Sequence, residues 1–266
     1  MSKTVLVTGA SSGMGKEAAR KLLADGYTVY VAARRVDRMA DLEALGATAL
    51  AMDISKDEQI VAAVERITTE SGGVDVLINN AGFGSYGAME DTTLEDARYQ
   101  FEVNLFGLAR LTQLVLPYMR EKQAGRIINI SSMGGRIYTP LGSWYHATKH
   151  ALEGWSDCLR IELSPFGIDV VIIEPGAIDT EWGGIMVDQM MERSGKGPYS
   201  DQAQRMANAA ESDGSPVALI ADVIVKSVKA KKPKTRYVAG KYARQLLTLR
   251  KLVSDRMFDR IIKSQI

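Results

Sequence analysis

The sequence predicts one α/β domain with a doubly wound, mostly parallel sheet, and three observations support this prediction. Short β-branched runs alternate with longer helical patterns, which is typical of βαβ units. Several of these runs are apolar throughout, as expected for strands covered by helices on both faces. A chain of 266 residues, 46% of them hydrophobic, is long enough to bury such a core within one domain.

The predicted elements follow from these patterns. The clearest strands, rich in valine and isoleucine, cover residues 5–7, 28–31, 74–78, 126–130 and 169–173. Helical periodicity covers residues 14–25, 57–70, 94–122, 143–163 and 216–230.

Charge and cysteine content exclude several classes of partner. Thirty-three basic and 32 acidic side chains give a net charge of +1, so no overall field favours nucleic acid or an anionic membrane. A small-molecule partner is therefore expected. Cys158 is the sole cysteine, which excludes an internal disulfide and suits a reducing compartment. The first strand begins too early to leave room for a signal segment, so we expect a cytoplasmic protein.

Two segments lie outside the regular alternation. Residues 178–215 combine glycines with a methionine-rich run and predict a mobile lid over the substrate, an ordinary surface excursion being the alternative. Residues 241–266 predict one or two amphipathic helices, which could cover the pocket, a subunit interface or a membrane surface. A packed terminal helix is the preferred interpretation, and membrane attachment is not expected.

A glycine-rich turn follows the first strand and opens the first helix. Glycines allow backbone N–H groups to approach phosphate oxygens, and the positive end of the helix favours an anion. The sequence therefore predicts a dinucleotide pyrophosphate here. The spacing, T-G-x-x-x-G-x-G, differs from the general G-x-G-x-x-G fingerprint. The residues predicted to contact the cofactor at this turn are Gly9, Ser11, Ser12, Gly13, Met14 and Gly15.

The end of the second strand predicts which nicotinamide cofactor binds. A site that prefers NAD places an acidic residue here for the ribose 2′-hydroxyl, but the sequence reads Ala-Ala followed by Arg34 and Arg35. An arginine can instead pair with the 2′-phosphate of NADP. NADP is therefore expected rather than NAD, with Arg34 as the first candidate and Arg35 as the second. The alternative for either arginine is a solvated surface charge.

Tyr145 and Lys149 predict acid–base chemistry. They lie four residues apart on one helix face, so the ammonium can approach the phenol. A neighbouring cation lowers the pKa of a phenol, which then exchanges a proton with an alcohol or carbonyl oxygen more readily. Ser131 and Ser132 end the strand at 126–130 and bring a hydroxyl to the sheet edge where ligands bind.

These motifs occur together in the order found in one enzyme family. The glycine turn, Asn79-Asn80-Ala81-Gly82, Asn104, Ser132, Tyr145, Lys149 and Pro175-Gly176 span residues 8–180. In these features the sequence resembles the short-chain dehydrogenases and reductases, which have a Rossmann-like fold and are commonly dimers or tetramers. Residues 79–84 and 139–142 are similar to those of 17β-hydroxysteroid and retinol dehydrogenases.

The resemblance implies catalytic roles for four residues. Ser132 would hydrogen-bond the reacting oxygen, and the thirteen-residue spacing to Tyr145 favours it over Ser131. Tyr145 would be the general acid and base. Lys149 would hold the nicotinamide ribose and tune Tyr145, while Asn104 would support a water relay.

The resemblance also implies further cofactor contacts. Asp53 and Ile54 resemble the adenine-binding pair, and Ile178 and Thr180 resemble the contacts to the nicotinamide carboxamide. Asn80 would support the sheet beside the adenosine ribose, or act as a turn residue at the strand end, and both readings are compatible. The remaining residues implied at the cofactor are Ala81, Gly82, Tyr145, Lys149, Pro175 and Gly176.

Two histidines on the helix of Tyr145 raise the question of a metal site. His146 and His150 are four residues apart, as in a shared metal site. The chain has no other histidine, and no glutamate stands in the H-E-x-x-H arrangement. We therefore expect surface or interface residues and no bound metal.

The sequence thus predicts an NADP(H)-dependent carbonyl reductase or alcohol dehydrogenase for a bulky, largely apolar substrate. Arg136 is the main candidate for an anionic anchor, with a solvated loop position as the alternative. A non-enzymatic NADP-sensing or scaffold protein and a sugar-nucleotide epimerase or dehydratase are the rival functions. The residues expected to line the pocket are Phe83, Ile137, Tyr138, Leu141, Trp144, Trp182, Ile185, Met186 and Met190.

Overall fold

The computed structural model describes residues 2–210 and 214–265 and contains one seven-stranded parallel sheet. Its strand order is β3-β2-β1-β4-β5-β6-β7, which confirms the predicted doubly wound sheet. The strands are β1 (Thr4–Thr8), β2 (Thr28–Ala33), β3 (Thr48–Ala51), β4 (Val76–Asn79), β5 (Gly125–Ile130), β6 (Ile168–Pro175) and β7 (Arg236–Ala239).

Helices cover both faces of this sheet. They are α1 (Gly13–Ala24), α2 (Ala40–Glu43), α3 (Asp57–Ser71), α4 (Leu94–Phe101), α5 (Gly107–Glu121), α6 (Ser143–Leu163), α7 (Glu181–Ser194), α8 (Ser200–Ala210), α9 (Val217–Lys229), α10 (Ala243–Leu252) and α11 (Asp255–Gln265). Helices α1 and α9 pack on one face, while α3, α5 and α6 pack on the other.

Strand β1, in the interior of the sheet, shows why its middle residues are all apolar. Val5 and Val7 point into the core under α1 and α9, whereas Leu6 points into the core under α3 and α5. Successive side chains of a strand alternate between faces, so a strand covered on both sides needs no polar positions. All five residues of β1 are buried.

The strand order reverses beside β1, which pairs with β2 on one side and with β4 on the other. In open parallel sheets, ligands bind in the crevice at the carboxyl ends of the strands where this reversal occurs. The glycine turn after β1 and the Asn80 segment after β4 pack directly against each other at this point.

The predicted helix at 94–122 is interrupted. A single π-helical turn, Glu102–Phe106, lies between α4 and α5 and contains Asn104. Such a turn inserts one residue into a helix and is frequent at functional sites. It leaves Asn104 fully buried rather than on the outer helix surface.

The two segments outside the regular alternation are both helical. Residues 178–215 contain α7 and α8, which pack on each other, and the role of this segment as a lid stays a prediction. The tail forms α10 and α11, whose Phe258 packs beside Ile137 and Tyr138. Ile137 and Tyr138 therefore pack against the tail, and their place at the pocket stays a prediction.

In the described part of the chain, none of the helices has both the length and the apolar character that a membrane span requires.

Candidate active site

The glycine turn after β1 is held by Asn80 from the neighbouring strand. The Asn80 Nδ2 donates to the carbonyl oxygens of Thr8 (2.9 Å) and Gly9 (3.2 Å). Gly9 has a φ of +66°, a conformation that favours glycine. A Cβ on Gly15 would lie 2.3 Å from the Asn80 Nδ2, so this close approach also requires glycine. Asn80 therefore fixes the geometry of the turn.

The start of α1 has the features of a phosphate cradle. Ser12 occupies the cap position but makes no capping hydrogen bond to the first turn, so the N–H groups there are left for another acceptor. Gly13 has a φ of +58°. A Cβ placed on Gly13 would have the Thr180 Cγ2, 3.8 Å away, as its nearest neighbour from another part of the chain. The open turn and its free donors fit the pyrophosphate of a dinucleotide, with Thr180 across the cleft.

The two arginines after β2 take different positions. The Arg35 Nη2 donates to the hydroxyls of Ser11 and Ser12, at 3.3 Å each, and so lies against the glycine turn. Arg34 points to the Tyr99 hydroxyl, 3.2 Å away, and is exposed. Of these two arginines, the structure therefore brings Arg35 to the cradle, whereas the sequence favoured Arg34.

A carboxylate from α7 reaches the same arginine-rich corner. The Glu181 Oε2 lies 3.0 Å from the Arg38 Nη1 and 3.9 Å from the Arg35 Nη1. The three side chains are 44–60% exposed, so solvent weakens this ion pairing. Neither Glu181 nor Arg38 was predicted, because one lies at a helix start and the other in an irregular turn far from it in sequence.

Asp53 and Ile54 close the end of β3. The Asp53 Oδ1 accepts hydrogen bonds from the Ser55 backbone N–H (3.0 Å) and hydroxyl (2.8 Å). Ile54 is buried beneath α5, where a Cβ on Gly107 would lie 2.0 Å from its carbonyl oxygen. This packing fixes the backbone at the edge of the crevice where an adenine ring is expected.

Tyr145 and Ser132 are brought together at the carboxyl end of β5. The Ser132 hydroxyl faces the Tyr145 phenol and accepts a hydrogen bond from the Gly134 N–H (3.0 Å). The neighbouring Ser131 hydroxyl is instead directed toward Gly135 and Glu153. Geometry therefore favours Ser132 over Ser131, as expected.

Aromatic rings enclose the phenol. The centroids of the Tyr86 and Trp182 rings lie 5.5 Å and 5.8 Å from that of Tyr145. Burial raises the pKa of Tyr145 above its ordinary value, while the Ser132 hydroxyl opposes the increase. Tyr86 was not predicted from the sequence. Its aromatic side chain, four residues after the Asn79-Asn80-Ala81-Gly82 motif, was a signal that could have identified it.

Lys149 lies on the same face of α6, one turn after Tyr145, and is buried. Its Nζ donates to the Ile130 carbonyl oxygen (2.9 Å). Burial lowers the pKa of Lys149 to about 8, and the Glu153 carboxylate opposes this decrease. The net pKa of Tyr145 is raised rather than lowered as expected, because desolvation of the phenol dominates, and the Lys149 ammonium is directed to Ile130.

Asn104 connects the loop after β4 to α6. Its Nδ2 donates to the Phe83 carbonyl oxygen (2.8 Å) and the Thr148 hydroxyl (3.1 Å), and its Oδ1 accepts from the Phe83 N–H (3.0 Å). A Cβ on Gly82 would lie 3.2 Å from this Oδ1 and 3.7 Å from the Lys149 Nζ. Asn104 and Lys149 therefore flank Gly82, and a water relay through Asn104 stays a prediction.

The segment after β6 leads back over the cleft. A Cβ on Gly176 would lie 2.1 Å from the Lys241 carbonyl oxygen, so only glycine fits beside the segment that follows β7. The Ile178 side chain packs toward Gly240, and a β-bridge joins Ile178 to Ser215. β6 ends at Pro175. From Pro175 the chain is held by these contacts as far as Thr180, which lies opposite the glycine turn.

Several predicted pocket residues have other partners. Met190 of α7 is fully buried in the apolar cluster that also contains Tyr86. Trp144 packs against Phe101 of α4. The Arg136 Nη1 lies 3.3 Å from the Glu174 Oε1, so it is neither a solvated loop residue nor a free anchor for a substrate anion. Leu141 and Met186 lie in the same cluster as Tyr145.

His146 is buried, which contradicts the prediction of a surface or interface position. Its Nε2 accepts a hydrogen bond from the Thr139 N–H (3.0 Å), so its Nδ1 carries the proton donated to the Gly134 carbonyl oxygen (2.8 Å). Burial lowers the pKa of His146. The ring therefore connects two loops of the site, while His150 is exposed as expected.

Comparison with known proteins agrees with this geometry. Residues 3–190 match the family model described as short chain dehydrogenase. The chain belongs to the short-chain dehydrogenase family. Like its relatives, it is an oxidoreductase with a Rossmann-like fold.

Individual relatives cover almost the whole of this short-chain dehydrogenase. It is 33% identical to the probable short-chain type dehydrogenase/reductase VdlC of Helicobacter pylori, over 97% of this chain and 96% of that protein. It is 35% identical to an NADPH-dependent 3-dehydrocapnine reductase of Ornithobacterium rhinotracheale, over 96% and 94%. A solved short-chain dehydrogenase from Streptomyces avermitilis superposes with a TM-score of 0.84 at 34% identity, covering 99% and 96%.

Proposed function

We propose that this protein interconverts an alcohol and a ketone or aldehyde with NADP(H) as the hydride carrier. One observation carries the proposal: the Tyr145 phenol faces the Ser132 hydroxyl and packs beside the rings of Tyr86 and Trp182, one helical turn from Lys149. A proton donor, a hydroxyl partner and a cation thus converge at the carboxyl edge of the sheet. This combination suits proton exchange with an oxygen atom.

The nicotinamide ring, when bound, supplies the hydride for reduction or accepts it for oxidation. In reduction, the Tyr145 O–H gives its proton to the carbonyl oxygen, and in oxidation the phenolate takes a proton from the alcohol. The Ser132 hydroxyl hydrogen-bonds the same oxygen and fixes its distance from the phenol. Lys149, held by Ile130, would bind the cofactor ribose and would favour the phenolate through its positive charge once the proton has left. Asn104 positions the loop at Phe83.

Cofactor preference for NADP is supported by Arg35. It lies beside the turn that would hold the pyrophosphate, and the end of β2 offers no acidic side chain to a ribose hydroxyl. Arg38 adds a second cation near the same position. Arg34 is the weaker candidate because it is directed to Tyr99. The NADPH dependence of the Ornithobacterium relative points in the same direction.

A bulky, largely apolar substrate is supported by the surroundings of the phenol. Tyr86, Leu141, Trp182 and Met186 form one apolar cluster with Tyr145. Arg136, which could have bound a substrate anion, is engaged by Glu174.

Assembly as a homodimer or tetramer is proposed from the helices that the sequence suggested for an interface. Large apolar side chains are exposed there, namely Leu94, Tyr99, Phe106 and Ile161. Contiguous exposed apolar surface commonly marks a subunit contact. The single cysteine, Cys158, makes a reducing cytoplasmic setting our proposal for its location.

The direct experiment measures NADPH oxidation against a panel of ketones, aldehydes, quinones and lipid carbonyls, repeated with NADH. The proposal expects turnover with bulky apolar carbonyls and a clear preference for NADPH. Tight NADPH binding without turnover of any member of the panel would instead favour a cofactor-sensing or scaffold protein. A preference for small anionic substrates would exclude the apolar pocket.

A further inference from the structure

A buried polar cluster lies directly behind Lys149. It contains two carboxylates, Glu153 of α6 and Glu174 at the end of β6, whose side chains are 7% and 0% exposed. Ionised carboxylates at this depth are costly unless cations partner them. The reaction proposed above uses neither residue.

Arg236 of β7 connects the cluster. Its Nη2 lies 3.0 Å from the Glu153 Oε2 and 2.6 Å from the Asp157 Oδ2, and its Nε lies 3.4 Å from the Glu174 Oε1. Arg136 contacts the same Glu174 oxygen at 3.3 Å. Each carboxylate nevertheless keeps one buried oxygen, the Glu153 Oε1 and the Glu174 Oε2, without a hydrogen-bond donor within range.

Glu153 is the acidic member nearest to Lys149 along the helix. The two residues are four apart, on one helix face, and helical side chains lean toward the N-terminus, so the Glu153 carboxylate leans toward the turn of Lys149. Both residues pack against Gly135. A Cβ on Gly135 would lie 2.9 Å from the Glu153 Cγ and 3.0 Å from the Lys149 carbonyl oxygen. The acceptor that holds the Lys149 Nζ, the Ile130 carbonyl, carries no formal charge.

We propose that Glu153 is a positioning residue that keeps the buried Lys149 ammonium charged, with Arg236 keeping Glu153 ionised. The inference rests on the proposed function, because it gives the charge of Lys149 a role at the cofactor ribose. A buried cation needs a nearby anion to remain charged at neutral pH, and Glu153 supplies that anion from behind the site.

The charged and titratable groups around Lys149 act in defined directions. Burial lowers its pKa to about 8, and the Glu153 carboxylate raises it. Burial and Glu174 raise the pKa of Glu153, while the Ser131 hydroxyl and Arg236 lower it. Burial raises the pKa of Tyr145, so an alkaline transition in cofactor binding belongs to Lys149 rather than to the phenol.

The test is the dissociation constant of NADPH for the whole protein, measured by fluorescence from about pH 6 to about pH 10. In the wild type, binding is expected to weaken as Lys149 loses its proton. E153Q removes the anion with little change of shape and should move the midpoint of this weakening down by roughly one pH unit. E153D retains the charge and should keep the midpoint near that of the wild type.

E174Q is the matched control. It also removes a buried carboxylate from the cluster, but it relieves the repulsion that Glu174 exerts on Glu153, so the midpoint should not move down. If E153Q does not fold, R236Q tests the same connection, because loss of the cation favours protonation of Glu153 and should lower the midpoint.

Two results would overturn the inference. One is a folded E153Q, or R236Q in its place, with the wild-type midpoint; the other is an equal downward movement in E153Q and E174Q, which would indicate a structural effect only. Failure of the proposed function would be recognised by a different result. The wild-type protein would then bind NADPH no better than NADH and would reduce no carbonyl at any pH.

Discussion

The Tyr145 ring lies 5.8 Å from the Trp182 ring, centroid to centroid, with the two planes inclined by 33°. Trp182 is the second residue of α7, so this contact connects the phenol to the start of the 178–215 segment. A Cβ on Gly84 would lie 2.4 Å from the Trp182 ring, which shows how closely the loop after β4 approaches it. Trp182 thus forms one wall of the space in which a substrate must meet Tyr145.

We predict that Trp182→Ala lowers kcat/KM for a bulky apolar ketone by about tenfold, because the substrate loses an apolar contact of aromatic size. A small ketone that does not reach this wall should be affected less. Steady-state kinetics with both substrates measures the difference. Leu45→Ala, a change at an exposed leucine outside the predicted pocket, is the control. An equal loss for both ketones would argue against a substrate wall.

Arg35→Ala should weaken NADPH binding by one to two decades, which corresponds to about 1.5–3 kcal/mol for a charge-assisted hydrogen bond, and leave NADH nearly unchanged. The physical reason is that only NADPH carries the 2′-phosphate. Arg34→Ala is the matched control and should have the smaller effect, because Arg34 is directed to Tyr99. Titration of intrinsic fluorescence gives the dissociation constants of NADPH and NADH for both variants. A larger effect at Arg34 would restore the order suggested by the sequence.

Glu181→Gln should strengthen NADPH binding by roughly two- to fivefold, since the carboxylate competes with a phosphate for Arg35 and Arg38 through exposed ion pairs. The affinity for NADH should not change. Glu192→Gln removes an exposed carboxylate from the same helix and serves as the control. Equal strengthening of both cofactors by Glu181→Gln would show that the carboxylate does not compete with the 2′-phosphate.

The regular part of the fold was predictable because the interior strands are covered on both faces. β1 and β6 contain continuous apolar runs, at residues 5–7 and 170–173, and these runs are sufficient to identify the two strands. β7 was not predicted, because it has four half-buried residues at the sheet edge and pairs only with β6. The π-helical turn at Asn104 was also missed, since nothing in the local helical periodicity distinguishes it.

In the candidate site, the residues contributed by strand ends and by one helix face were predicted better than those brought together by loops. Tyr145 and Lys149 share a helix, so their spacing alone predicts their proximity. The choice between Arg34 and Arg35 depends on side-chain direction after a strand, which the sequence does not specify. His146 is buried because Gly134 and Thr139 satisfy both ring nitrogens, and that pairing exists only once two loops have packed.

Lys149→Met should stabilise the fold while weakening NADPH binding. The wild-type pKa falls from 10.5 to about 8 on folding, so the charged side chain disfavours the folded state at neutral pH. The cost is on the order of 3 kcal/mol below about pH 8 and disappears as the pH rises to about 10.5. Removing the ammonium should therefore raise the free energy of unfolding at pH 7.

Thermal unfolding at pH 7 and at about pH 10 measures this effect. The stabilisation of Lys149→Met over wild type should shrink at the higher pH, whereas Lys251→Met, a change at an exposed lysine, should show no such trend. A variant that is less stable than wild type by the same amount at both pH values would contradict the proposed cost of burying the charge.

The most direct test of the account is Tyr145→Phe, which removes the proton-exchanging hydroxyl but keeps the ring between Tyr86 and Trp182. NADPH oxidation with the best carbonyl of the panel should fall by a factor of about 10² to 10⁴, the range of general acid–base catalysis, while the dissociation constant of NADPH stays within a few-fold. Tyr86→Phe, which changes the neighbouring phenol alone, should retain most of the activity. Turnover by Tyr145→Phe at a rate close to wild type would contradict the assignment of Tyr145 as the catalytic acid and base.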